Sequence, residues 1–144
     1  MIGKSAVAFF QEEVERIQAE MRQAFDDLGY PQDASVVELL DRVANDAGYI
    51  DAAGQVGKDR VVGAYRAILD QLDPKLDEVF DIRPRQDLVI VGNPAGCGGG
   101  YYMEGSRDGS RPGAFNTGVG CPQVPKYNMP TTAYHEAIPG HHFQ

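Results

Sequence analysis

The chain has no apolar run approaching the roughly 18–20 residues that a membrane-spanning helix needs. It has no basic excess either: 13 Lys and Arg against 21 Asp and Glu leave a formal charge of −8. That balance argues against a nucleic-acid surface or an anionic membrane as partner. Cysteine is scarce. Cys97 and Cys121 sit in Gly/Pro-rich stretches without CxxC spacing, and free thiols are the expectation. No internal repeat or low-complexity tract is present. The Gly98-Gly99-Gly100 run lacks the Lys-Ser/Thr of a phosphate-binding loop and leads into no helix, which excludes that reading. The opening "MIGKSAVAFFQEEVERIQ" offers one Lys and a short apolar patch before turning acidic, a poor signal peptide. A cytoplasmic location is the expectation that follows.

What is present suits a folded domain. The 144 residues are 42% hydrophobic and 24% charged, enough for a core of ordinary size. Val7, Phe10, Val14, Ile17, Met21, Phe25 and Leu28 recur at three- and four-residue steps, predicting a long amphipathic helix over 5–28 whose stripe is packing surface. Gly29-Tyr30-Pro31 ends it. Ser35 and Glu38 have capping-box spacing and start a second helix that runs to Gly48. A third is predicted from about Lys58 to Leu72, and Asp73-Pro74 is expected to cap a short fourth ending near Phe80.

The pattern changes after Arg83-Pro84. "DLVIVGNP" reads as a buried strand. Tyr101–Met103 and Ala114–Thr117, between Gly-rich turns, read as strands of a small antiparallel sheet. Thr131 or Thr132 is positioned to cap a last helix. The expected class is α+β, mainly α, with a helical region over 1–83 and a strand and loop region over 84–144. The chain stops inside a helical signal, so it is expected to be a partial domain of a longer protein.

That last helix closes the chain with "YHEAIPGHHFQ" and holds all three histidines, His135, His141 and His142. Zinc takes imidazole nitrogen and carboxylate oxygen, and a catalytic site leaves one position open. Two ligands four residues apart on a helix differ by about 40° and about 6 Å of rise, so they converge, with an adjacent Glu as general base. Here the fourth position is Pro139. In a regular helix His141 would stand about 120° around from His135, and His142 about 10 Å along the axis. Pro139 cannot bond back to the His135 carbonyl, and Gly140 tolerates unusual backbone angles. A local bulge across Ile138–Gly140 could therefore absorb two residues and bring His141 to the ligand position. The competing reading is three histidines on an exposed end that bind metal adventitiously.

"HEAIPGHHFQ", preceded by "GSRPGAFNTG" and "PKYNMPTTAYHE", resembles the bacterial domain-of-unknown-function 885 family, whose HExxPGHHxQ motif groups it with zincin metallopeptidases. The specific match spans roughly residues 84–144. The resemblance implies zinc as cofactor, His135 and His141 as ligands, Glu136 as general base, and His142 as a neighbouring support or alternative ligand. A third ligand, a Glu on a later helix, is implied beyond Gln144, so these residues alone are expected to bind zinc weakly and to be inactive. The substrate implied is a peptide or small amide. An extended edge strand would align it, with "PGAFNTG" (Phe115, Asn116) as candidate and Arg111, Tyr101 and Tyr102 as possible contacts. For Arg107 and Arg111 the bland alternative is loop charges paired with Asp108. Two alternatives of function stand beside this one: a non-catalytic helical scaffold or interaction module, and a metal-dependent hydrolase of non-peptide amides or esters.

Overall fold

The structure, a computed structural model, describes residues 6–144, and its contacts divide the chain into two units, Met1–Asp46 and Ala47–Gln144. The expected helix start at residue 5 and the first five residues of the signal-peptide reading lie outside the described residues. The class is α+β and mainly α, as the sequence predicts.

In the first unit, α1 (Ala6–Asp27) and α2 (Val36–Ala47) pack around Phe25, Ala34 and Leu39. The capping box forms as its spacing predicts: Glu38 N–H donates to Ser35 Oγ (3.2 Å), and Ser35 N–H donates to Glu38 Oε2 (2.7 Å). These bonds to the Ser35 hydroxyl and backbone hold the Glu38 carboxyl below its usual range. Gly29 and Gly48 follow the two helices with positive φ, where a side chain would be strained. The amphipathic stripe of α1 departs from expectation. Only Phe25 at its end is buried, while Val7, Phe10, Val14 and Ile17 are exposed. Periodicity sets which residues share a face, but not whether anything covers that face.

The second unit is built on α3 (Gly54–Leu76), β1 (Tyr49–Asp51), β2 (Leu88–Asn93), β3 (Cys97–Met103), β4 (Gly113–Val119), β5 (Gln123–Pro125) and α4 (Met129–Glu136). A single 3-10 turn, His141–Phe143, follows α4. The predicted third and fourth helices are one helix, α3, which runs through Pro74. Proline there loses the bond to the Asp70 carbonyl and crowds it, but only in the final turn of the helix. Asp73 does not cap: its carboxylate takes a bond from Arg83 Nη1 (2.6 Å), and Arg83 Nε also binds Asp77 (2.7 Å).

The sheet is mixed, not antiparallel throughout. Its order is β2-β4-β3, with β2 parallel and β3 antiparallel to β4, and β1 pairs separately with β5. β2 is half-buried, alternating between exposed and partly covered residues, where the sequence read as a fully buried strand. β4 is the buried centre, and Phe115 meets Tyr65 of α3 edge-on at 4.9 Å. Val61, Leu69, Val119, Val124, Met129 and Ala133 complete this core. The expectation of free cysteines is corrected: Cys97 and Cys121 form a disulfide. Their 24-residue separation hid the proximity. Pairing of Cys97 with Val119 across the ladder brings the two Cα atoms to 5.0 Å.

Candidate metal centre

The N-cap position of α4 is Asn128, not Thr131 or Thr132, with Pro130 in its first turn, where a missing N–H costs nothing. It ends at Glu136. The helix does not continue through a bulge, and this corrects the expected route to His141. Pro139 has no N–H for the His135 carbonyl, and Gly140 N–H donates instead to Tyr134 O (2.9 Å). The chain reverses over Ala137–Gly140, where the Ile138–Pro139 peptide is cis, and His142 N–H then donates to Ala137 O (3.1 Å).

Gly140 packs directly on the end of α4. A Cβ added there would collide with the His135 carbonyl and come within 2.5 Å of Tyr134 O, all of it backbone. This close approach folds His141 back over His135, with ring centroids 5.0 Å apart and planes at 84°. Glu136 lies beside both. One carboxylate oxygen is 3.9 Å from His135 Nε2 and the other 3.9 Å from His141 Nε2. Donor atoms of His135, Glu136 and His141 all lie within 4.8 Å of one another. Tetrahedral zinc with bonds of about 2.1 Å separates its ligand atoms by about 3.4 Å, so the two imidazoles fit such an ion after movements of about 1 Å, with the Glu136 carboxylate beside it. His135 is the most exposed of the three side chains (69%) and Glu136 the least (18%).

His142 is not part of this cluster. It is buried, and both ring nitrogens are engaged: Nδ1 with Tyr102 Oη (3.0 Å) and Nε2 with the Gln86 carbonyl (3.0 Å). Burial pushes its pKa below the usual imidazole value, against the bond to Gln86 and the nearby charge of Asp87. The Tyr102 ring also stacks on His141 (6.2 Å, 15°), and burial raises its phenol pKa, which the Gly105 N–H partly offsets. No sequence signal marks Gln86 as a partner, because 56 residues separate it from His142.

The remaining predicted contacts divide. Tyr102 reaches the histidines, whereas Tyr101 is exposed on strand β3. Phe115 and Asn116 are buried in the central strand β4, whose two edges are already paired, so "PGAFNTG" cannot be the edge strand expected. That edge belongs to β3. Arg111 lies in the loop before β4. Asp108 does not pair with Arg107 or Arg111; it accepts from Ser110 N–H and Oγ, and the Ser106 and Ser110 hydroxyls help to pull its pKa down to about 2. A cavity of about 510 Å³ opens beside the cluster, with His141, Tyr102, Phe80, Phe143, Glu104 and Arg107 in its wall.

The sequence profile of DUF885, described as "Bacterial protein of unknown function", matches residues 5–144. The chain belongs to this family. Among solved structures, the DUF885 chain is similar to "the putative lipoprotein from Colwellia psychrerythraea", at 25% identity and a TM-score of 0.79. The match covers 93% of this chain and 24% of that one, so the DUF885 chain spans about a quarter of that protein's length. Comparison with proteins of curated function finds no match. The likeness to a protein described as a lipoprotein overturns the cytoplasmic location expected above. That expectation rested on a weak leader signal, and 144 residues spanning a quarter of a relative are no guide to leaders or anchors. Among the described residues, no helix is long and apolar enough to cross a membrane.

Proposed function

We propose that this DUF885 chain carries part of the active site of a zinc-dependent hydrolase of peptide or amide bonds. His135 and His141 are the metal ligands and Glu136 the general base. The observation that supports this reading is the Glu136 carboxylate beside two imidazoles, with one oxygen 3.9 Å from each Nε2. Zinc bound there would act as a Lewis acid on the scissile carbonyl and acidify water. The chain's own residues do the rest. Glu136 takes the proton of the attacking water and hands it to the leaving amine. Its position beside both histidines keeps it within reach of either species. The outer edge of β3 is a backbone template on which an extended substrate would align, and the neighbouring cavity would take one flank of the bond. A third ligand comes from outside these residues.

Titration of the metal-free complete gene product with zinc, followed by calorimetry, tests the ligand set. Stoichiometric binding is expected, falling by at least about 100-fold in His135→Ala and in His141→Ala but much less in His142→Ala. Equal affinity in all three variants would remove the metal reading and leave a helical scaffold.

The similarity to a protein described as a lipoprotein, together with the disulfide, supports a position at a membrane surface outside the cytoplasm. Protein recovered from its host under alkylating conditions is expected to carry no alkylation at Cys97 or Cys121 and to fractionate with membranes. Two free thiols in a cytosolic fraction would refute this location.

A further inference from the structure

The two adjacent histidines divide two tasks between them, and what each ring nitrogen meets decides which. The Gln86 carbonyl can only accept, so His142 Nε2 carries a proton and, in the neutral ring, Nδ1 accepts from the Tyr102 hydroxyl. Neither nitrogen is left for a cation. Gly113 of β4 leaves the space for this pair, since a Cβ there would collide with the Tyr102 hydroxyl and sit 2.9 Å from His142 Nδ1. Tyr102, anchored in this way, lies parallel to the His141 ring.

His141 is held differently. Its Nδ1 is 2.9 Å from Gln144 Oε1, while Nε2 faces Glu136. An amide oxygen only accepts, so the proton belongs on Nδ1 and the Nε2 lone pair points into the cluster. A neutral imidazole in water prefers the opposite tautomer, with its proton on Nε2. We propose that Gln144 is a positioning residue that fixes the Nδ1–H tautomer of His141, presenting Nε2 as an electron-pair donor, with Tyr102 backing the ring. The consequence for zinc rests on the metal reading above; the tautomer does not.

The test uses nitrogen-15 NMR of the metal-free complete gene product at about pH 8.5, above the ordinary imidazole range. In the unmodified protein His141 Nε2 is expected to show the pyridine-type signal of an unprotonated nitrogen. Gln144→Met, which keeps length but removes the acceptor, should move most of the population to Nε2–H, and Gln144→Glu, which keeps an acceptor, should restore Nδ1–H. A zinc titration adds the second reading: affinity about 10-fold weaker in Gln144→Met and retained in Gln144→Glu. A merely structural role would not separate Met from Glu in this way. A proton on Nε2 in the unmodified protein, or an unchanged tautomer in Gln144→Met, overturns the proposal. If the tautomers behave as expected but no zinc binds, the positioning role stands and the metal reading falls.

Discussion

Replacing Gly140 by alanine is expected to cost about 2–3 kcal/mol of stability and to weaken zinc binding by about 100-fold. The added Cβ would press on the His135 carbonyl carbon at 2.5 Å, on its oxygen and on Tyr134 O. These are backbone atoms at the end of α4, so no rotamer change relieves the contact. The turn must open, and His141 would then move off His135. Gly63 is the control. It lies in α3 with nothing within 4 Å of an added Cβ. Gly63→Ala should leave zinc affinity unchanged and raise stability by about 0.5–1 kcal/mol through helix propensity. Urea denaturation and zinc calorimetry on both variants make the comparison. Equal zinc affinity in Gly140→Ala and the unmodified protein would mean that the turn does not position His141.

Glu136→Gln separates base from ligand. The geometry allows either role, since each carboxylate oxygen is equally far from one imidazole. A base should be needed for turnover and nearly dispensable for binding. The complete gene product carrying Glu136→Gln is expected to lose about 10²–10⁴ in kcat while its zinc affinity changes by no more than a few-fold. Assays of the proposed activity would use peptide libraries and small amides. Full rate in the variant would exclude Glu136 as the base. A rate loss accompanied by a large fall in affinity would make Glu136 a ligand instead.

The elements that could be read in advance are those with local causes. Ser35 and Glu38 satisfy each other's backbone groups within four residues, so α2 starts where the spacing places it. Gly29 and Gly48 end helices because of their own backbone freedom. The strands around Tyr102 and Phe115 were legible from their apolar content and flanking glycines. Asp73-Pro74 shows the converse: a local helix-start signal is overridden, and Asp73 pairs with Arg83 ten residues away while α3 runs through.

The sequence by itself determined the chemistry available at this site. Imidazole, carboxylate and the Pro139-Gly140 break stand in one short stretch. Only the tertiary structure decided how those groups are arranged. The placement of β4 between β2 and β3, the Cys97–Cys121 bridge and the hold of Gln86 and Tyr102 on His142 join residues 11 to 56 positions apart. No local propensity encodes such pairings, because their energy arises only once the core has closed around Phe115 and Tyr65. The same closure separates two neighbouring histidines that look equivalent in the sequence. One is drawn into the protein, where both nitrogens are used, and the other is left facing Glu136.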